Sequence, residues 1–299
     1  MNATSLALAL VCAVSVRLQA APHDGARRPP ARDSKMVLCW GDSITEGMAM
    51  PRGKDYPGRL QALLGAEWKV LNSGDGGENA VTIPARQGAF PLELSAAVVF
   101  PEGVKTVKLG DAADNGIRTA KGDRISLTAA LGREIPANPV RIGGHDYRLS
   151  FEGFRWNTPT NRITYTLNLS RAEAGPAETI PGGAPAAFAS AAYAPAAACE
   201  IYLMGANGGW NDDVDHLISL YRAMIARRGE AAPYLVIEPY WLPAKQKDAF
   251  RAAFGPRLVP FAPTVEQCFR KRRDVHLNEE GYDLLARAVF ARGRDLGYW

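Results

Sequence analysis

Ser43 has the clearest chemical potential in this 299-residue chain, because it closes the string Gly41-Asp42-Ser43 directly after a short apolar run at residues 36–39. An apolar run that breaks into a glycine-containing turn is typical of a buried strand ending at a sheet edge, where open α/β folds bind ligands. A serine hydroxyl becomes a nucleophile when a base takes its proton and N–H donors stabilise the oxyanion that it creates. Ser43 is therefore the candidate nucleophile.

Three further residues have the types that such a nucleophile requires. Gly74 follows the apolar stretch at residues 69–71, Asn207 follows the one at 201–204, and His276 lies near the C-terminus. A glycine lets the backbone come close to a ligand, and an asparagine amide donates without competing for the proton. A histidine is the usual general base, and none of the other three histidines lies beside a comparable motif.

Asp274 is the candidate carboxylate that orients the histidine. Residues two apart in an extended segment point the same way, so the Asp274 side chain is expected to reach the ring of His276. The alternative is a serine–histidine dyad that relies on a backbone carbonyl or on a more distant acid.

Taken in order, these Ser, Gly, Asn and His blocks resemble the SGNH hydrolases, also called GDSL-type esterases. The resemblance covers residues 35–83 and 199–299. It implies a three-layer α/β/α fold with a parallel sheet, of the flavodoxin-like kind, and ester hydrolysis without metal or cofactor. It also implies an oxyanion hole formed by the backbone amides of Ser43 and Gly74 and the side chain of Asn207.

The chain departs from that family pattern at two positions. The family usually has its aspartate three residues before the histidine, where this chain has Arg273, and an acid after the asparagine, where this chain has Gly208. The first departure is the reason that the dyad stays open, and the second leaves unexplained how Asn207 is held.

The segment between the second and third blocks has a different pattern. Alternating apolar and polar residues between positions 84 and 195 predict antiparallel strands with one solvent-exposed face, and hence an inserted β-rich domain. The Ala-, Pro- and Gly-rich stretch 174–198 is interpreted as the return linker. The insert is interpreted either as a module that binds a polymeric substrate or as a structural element that borders the site and contacts another copy of the chain. A sugar-stacking platform would use its aromatic and guanidinium groups, namely Tyr147, Phe154, Arg155 and Trp156.

Two tryptophans fall at the carboxyl ends of predicted strands. Trp210 and Trp241 are therefore candidate substrate-binding residues that wall the cleft, with plain packing as the alternative. The string Arg86-Gln87-Gly88 has no assigned role beyond a turn with a reachable charge.

Composition and the N-terminal segment limit the other classes of protein to which the chain could belong. The net charge of +4 arises from scattered residues apart from two basic runs, Arg27-Arg28 and Arg270-Lys271-Arg272-Arg273, which are interpreted as a solvated face or tail. This favours neither nucleic-acid binding nor stable membrane insertion. The spacing of the four cysteines suggests neither a metal site nor a disulfide framework. Residues 1–21 are interpreted as a signal peptide, although they lack the usual basic start, and residues 22–35 as a disordered linker. The hydrolase domain is then 36–83 and 196–299, and the protein is expected to be secreted or periplasmic. Its oligomeric state is left open.

The function expected from these features is serine-dependent hydrolysis of esters, with O-acetyl groups on carbohydrates as the favoured substrates. A short-chain carboxylesterase or lipase is the close alternative. A non-catalytic carbohydrate-binding protein and an acyltransferase on the same scaffold also remain open.

Overall fold

The computed structural model describes residues 35–48, 50–128, 134–157, 162–268 and 274–299. The predicted signal peptide and all of the predicted linker except Lys35 lie outside these ranges, as does Arg273. Within the described ranges, no helix combines the length and apolar character needed to cross a bilayer.

Strands and helices alternate at the two ends of the chain, while strands dominate its middle. In chain order the elements are β1 Met36–Gly41, α1 Ser43–Glu46, α2 Tyr56–Leu64, β2 Lys69–Gly74, α3 Thr82–Gln87, β3 Leu92–Leu94, β4 Val98–Phe100, β5 Thr106–Asp111, β6 Ile117–Thr119, β7 Val140–Ile142, β8 His145–Asn157, β9 Arg162–Ser170, β10 Glu178–Ile180, β11 Pro185–Phe188, β12 Cys199–Leu203, α4 Val214–Arg228, β13 Tyr234–Ile237, α5 Ala244–Phe254, β14 Leu258–Val259 and α6 Glu279–Asp295.

A five-stranded parallel sheet carries the sequence blocks that contain the candidate site residues. Its strand order is β14-β13-β12-β1-β2, and every neighbouring pair is parallel, which confirms the predicted parallel sheet. All six residues of β1 are buried, as expected for a central strand covered on both faces. The chain leaves β1 toward β2 on one side and returns as β12 on the other. The carboxyl ends of β1 and β12 therefore form a topological switch point, where such sheets bind ligands.

Alternate residues of β1 face two different hydrophobic clusters. Val37 and Cys39 pack in a cluster with residues of α2 and α6, whereas Leu38 and Trp40 belong to a second cluster with residues of α4. Alternation along a strand sends successive side chains to opposite faces, so helices contribute to the packing on both sides of β1.

The middle of the chain forms antiparallel sheets. Seven strands pair in the order β5-β9-β8-β7-β11-β3-β6, and β4 pairs with β10. Residues of these strands, including Phe100 and Leu149, belong to the same hydrophobic cluster as Leu38 and Trp40. The antiparallel region therefore shares a core with one face of the parallel sheet. The domain boundaries 84–195 stay a prediction.

The stretch 174–198 differs from its interpretation as a linker. It contains β10 and β11, and Ala186 of β11 pairs with Ile142 on one side and Leu92 on the other. Its alanines satisfy backbone hydrogen bonds inside a sheet, where small side chains can still pack. Low side-chain complexity was therefore a poor guide to structure here.

Candidate active site

Ser43 is the first residue of α1, immediately after β1, and it is 4% exposed. The Asp42 carboxylate caps the short helix, since its Oδ1 accepts the backbone N–H of Ile44 at 3.0 Å. The turn requires glycine at position 41, because a Cβ there would collide with the Thr45 side chain and the Leu203 carbonyl. The Gly-Asp-Ser string thus turns the chain sharply and holds the Ser43 hydroxyl at the sheet edge.

His276 lies between Ser43 and Asp274. Its Nε2 is 2.9 Å from Ser43 Oγ, and its Nδ1 is 2.6 Å from Asp274 Oδ1. The same carboxylate oxygen accepts the backbone N–H of His276 at 3.0 Å. All three residues are buried, with side chains joined in one hydrogen-bonded chain. The Nδ1–H donated to the carboxylate leaves Nε2 as the acceptor that faces the serine.

The loop that carries His276 is fixed from both sides. The Tyr240 hydroxyl donates to the carbonyl of Val275. Asn278 caps α6 by accepting the N–H of Gly281 at 3.0 Å, and it also donates to the Glu266 carbonyl at 2.7 Å. These contacts hold the loop in place, so the imidazole does not depend on the serine for its position.

The third block is hydrogen-bonded to the first block and to the loop that follows the second. Asp42 Oδ2 accepts the backbone N–H of Ala206 at 3.3 Å. The Asn207 side chain donates to the carbonyl of Glu78 at 3.0 Å, and Asn207 is otherwise exposed. One of the two amide hydrogens of Asn207 is therefore engaged, and the second has no acceptor among the described residues.

The backbone amide of Gly74, which is expected to be an oxyanion donor, already has a hydrogen-bond partner. Its backbone N–H already donates to the Asn72 side chain at 2.8 Å, and Asn72 in turn donates to the Thr45 carbonyl at 2.8 Å. A Cβ on Gly74 would collide with the backbone of Glu46, so glycine is needed here for packing of β2 against α1. The position at the end of a strand was visible in the sequence, but the local Asn72 contact was not.

The next two glycines of the same block lie nearer to an open surface. A Cβ placed on Gly76 would be 3.5 Å from the Cβ of Ser43. Gly77 is exposed and has a φ of +90°, which favours glycine. Within the described part of the chain, neither backbone N–H has an acceptor. This loop therefore has two N–H groups without acceptors, and one of them belongs to Gly76, which approaches Ser43.

A fully buried arginine fastens that loop to the sheet. Arg86 of α3 forms an ion pair with Glu78 at 2.7 Å and donates to the carbonyl and hydroxyl oxygens of Ser73 at 2.8 and 3.1 Å. Its guanidinium also lies 5.6 Å from the ring of Trp40. The carbonyl of Glu78 is the group that holds Asn207, so Arg86 indirectly positions the third block. The prediction of a turn with a reachable charge is wrong, because Arg86 lies in α3 and is fully buried.

Burial changes the protonation of two carboxyl groups near the site. It raises the pKa of Asp42 to about 6, against the lowering effect of hydrogen bonds from the Ile44 and Ala206 amides. It raises the pKa of Glu78 to about 8, although the Arg86 guanidinium acts in the opposite direction. In the described residues, no three His, Cys, Asp or Glu side chains form a cluster suited to a metal ion.

The two candidate tryptophans differ in their surroundings. Trp210 is 6% exposed, packs in the core and donates its indole N–H to the Gly205 carbonyl at 2.8 Å. These contacts favour packing as its role, and its part in substrate binding stays a prediction. Trp241 is half-buried and packs edge-on against Tyr240, with ring centroids 5.1 Å apart. Its role in binding stays a prediction.

The aromatic residues proposed as a platform in the insert do not form one surface. Tyr147 is buried against Phe100 and donates its hydroxyl to Glu178 at 2.6 Å. Phe154 is 39% exposed and Arg155 is exposed, whereas the side chain of Trp156 lies outside the described part of the chain. Tyr147 is therefore a core residue.

Comparisons with known proteins give only a distant structural likeness. No family model and no curated protein matches the chain. A crystal structure of a member of the lipolytic protein G-D-S-L family from Veillonella parvula DSM 2008 is similar to it with a TM-score of 0.40 and 11% identity, over 87% of this chain and 97% of that one. A second solved structure matches the same shares with a TM-score of 0.42 and 14% identity. At these TM-scores the likeness assigns no activity to this chain.

Proposed function

We propose that this protein is a serine hydrolase that cleaves carboxylic esters. The observation that carries the proposal is the continuous hydrogen-bonded chain from Ser43 Oγ through His276 to Asp274. A serine, a histidine and an acid in this order are the parts of nucleophilic acyl transfer, whatever fold holds them.

In the proposed reaction, Ser43 Oγ attacks the ester carbonyl while His276 Nε2 takes the hydroxyl proton. Asp274 holds the neutral ring in the required tautomer and stabilises the imidazolium that forms. His276 then gives the proton to the departing alcohol, and the acyl group stays on Ser43. A water molecule, deprotonated by His276, releases the acid and restores the serine.

The oxyanion needs N–H donors beside Ser43. We assign this role to the Ser43 amide, to the free amide hydrogen of Asn207, and to a backbone amide of the loop at Gly76 and Gly77 in place of Gly74. The assignment of the loop is supported by its nearness to Ser43 and by N–H groups without acceptors.

O-acetyl groups on carbohydrates are the proposed substrates, in a protein that is exported by its N-terminal segment. The proposed fold is the three-layer arrangement of the SGNH hydrolases, supported by core clusters that join helices to both faces of β1. Short-chain carboxylesters are the alternative substrates.

The proposal is tested with the full chain and 4-nitrophenyl acetate. Wild type is expected to release acetate and to be labelled covalently by a fluorophosphonate probe, whereas Ser43→Ala is expected to do neither. An Asp295→Asn variant, altered at an exposed residue of α6, serves as the control for nonspecific effects. Acetate release that is equal in wild type and Ser43→Ala would overturn the proposal.

A further inference from the structure

A polar cavity lies beside the loop of the candidate site, at the edge of the antiparallel region. It has a volume of about 220 Å³. It is lined by one aromatic ring, one cation and several small polar or apolar groups, namely Asn79, Ala112, Asn115, Arg124, Ile125, Ser126 and Tyr165. None of the described residues that line it is acidic, so its only lining charge is positive.

The cavity is close to the proposed nucleophile along the chain. Asn79 in its wall is three residues from Gly76, which approaches Ser43, and three residues span at most about 11 Å. Ser126, also in the lining, is two residues from Thr128, whose methyl group would be 3.3 Å from a Cβ on Gly77. The cavity therefore lies next to the loop whose Gly76 approaches Ser43, and its volume suits a ligand of one or two rings.

Some of the side chains that line the cavity have hydrogen-bond donors or acceptors without a partner among the described residues. The Asn79 side-chain oxygen already accepts from Val81 and Thr82, but its NH₂ group has no acceptor among the described residues. The Ser126 hydroxyl is likewise unpaired there. Asn115 has a structural role instead, since its amide bonds to the carbonyl of Ile125 at 2.6 Å and accepts from Ile117 at 3.0 Å.

Arg124 carries the charge of the cavity. One of its N–H groups donates to the Ala112 carbonyl at 3.1 Å, and in the described ranges it pairs with no carboxylate. A guanidinium has five N–H donors, so four remain. Their planar arrangement matches a carboxylate better than a neutral hydroxyl.

Tyr165 supplies a flat and immobilised ring. Phe151 packs edge-on against it, with centroids 4.7 Å apart, and Phe154 lies nearly parallel to it at 6.0 Å. An aromatic ring beside several polar groups is suited to a polyhydroxylated ring, whose C–H face is apolar and whose edge is polar.

We infer that this cavity binds a carboxylate-bearing sugar, with Arg124 on the carboxylate and Tyr165 against the ring. The inference rests on the proposed function, because it identifies the alcohol part of the ester as an acetylated sugar acid. The antiparallel region then contributes substrate selection directly, through residues 112–126 and 165.

Binding is tested without catalysis by titrating the Ser43→Ala full chain with methyl galacturonoside and with methyl galactoside, which differ in the carboxylate. We expect about tenfold tighter binding of the galacturonoside, in line with a charge-assisted contact at a partly open site. Adding Arg124→Ala is expected to remove that preference, whereas adding Arg148→Ala, at an exposed arginine on β8, is expected to keep it. Equal binding of the two sugars, or equal effects of the two arginine variants, would overturn the inference.

Turnover gives an independent comparison. The ratio of kcat/KM for a mono-acetylated methyl galacturonoside to that for 4-nitrophenyl acetate is expected to fall about tenfold in Arg124→Ala and in Tyr165→Ala. If the ratio is unchanged in both variants while Ser43-dependent hydrolysis is intact, sugar-acid binding in the cavity is refuted and the esterase proposal stands. If binding is selective for the carboxylate but neither ester is hydrolysed in a Ser43-dependent way, sugar-acid binding in the cavity is supported and the esterase proposal is refuted.

Discussion

Asp274 and His276 share one carboxylate oxygen through two hydrogen bonds, one to the ring at 2.6 Å and one to the backbone N–H at 3.0 Å. The backbone contact bends the chain so that a carboxylate only two residues before the histidine still reaches Nδ1. Spacing by two residues is therefore compatible with a serine–histidine–aspartate arrangement.

Replacement of this carboxylate by an amide separates a triad from a dyad. Asp274→Asn is expected to lower kcat on 4-nitrophenyl acetate by about a thousandfold or more, because an amide does not stabilise the imidazolium and can favour the wrong tautomer. The measurement is steady-state kinetics beside Asp248→Asn, at an exposed aspartate of α5. Retention of more than a tenth of the wild-type kcat would identify a dyad.

The Asn207 side chain can be tested apart from folding. Because Asn207 is exposed, Asn207→Ala is expected to change the free energy of unfolding by no more than about 0.5 kcal/mol. Loss of an oxyanion donor is expected to lower kcat by about a hundredfold to a thousandfold, with little change in KM. Asn168→Ala on β9 is the matched control. A raised KM with an intact kcat would mean that Asn207 binds the ground state instead.

The residues that meet at the site were predictable because parallel strands end at a common edge. Each of Ser43, Asn207 and His276 follows a strand or precedes a helix whose apolar pattern is plain in the sequence. The cap of α6 by Asn278 was predictable for the same reason, since capping depends on local residue order.

Contacts between distant side chains were not predictable in this way. The Asn72 contact that occupies the Gly74 amide depends on a rotamer, and the burial of Arg86 depends on where α3 docks against the sheet. The strands inside the alanine-rich stretch depend on partners such as Ile142, more than 40 residues earlier in the chain. Local pattern carries no information on these partners.

Arg86 is expected to contribute both to stability and to the geometry of the loop. Arg86→Met leaves the Glu78 carboxyl group and both Ser73 oxygens buried without their donor, so the free energy of unfolding is expected to fall by about 3 to 5 kcal/mol. Arg86→Met with Glu78→Leu is expected to recover most of that loss, as apolar replacements of buried pairs often do. Both variants are expected to have a lower kcat than wild type, because both lack the hydrogen bonds from Arg86 to Ser73.

Urea unfolding and steady-state kinetics on the same preparations decide this point. Arg222→Met, at an exposed arginine of α4, is the control and is expected to change neither quantity appreciably. Recovery of stability together with full kcat in the double variant would show that the ion pair has no role in positioning the loop.

The raised pKa of Glu78 predicts that the stability of the protein decreases as the pH rises. Its pKa is about 8 in the folded protein, above its ordinary value of 4.5. Between these values the folded state therefore binds a proton that the unfolded chain has released. The free energy of unfolding is then expected to fall as the pH rises from about 5 to 8, by up to about 1.4 kcal/mol per pH unit from this group. Glu78→Gln lacks this contribution, so its stability relative to wild type should improve with rising pH.

The measurement is urea unfolding of wild type and Glu78→Gln at pH 5.5 and 8.0. Glu67→Gln is the control: a bond from Lys35 lowers the pKa of the exposed Glu67, so its contribution is complete above its unfolded pKa and constant over this interval. A difference between wild type and Glu78→Gln that stays constant from pH 5.5 to 8.0 would mean that the Arg86 guanidinium outweighs burial. The carboxylate would then be ionised throughout, and the loop beside Ser43 would carry a permanent buried ion pair.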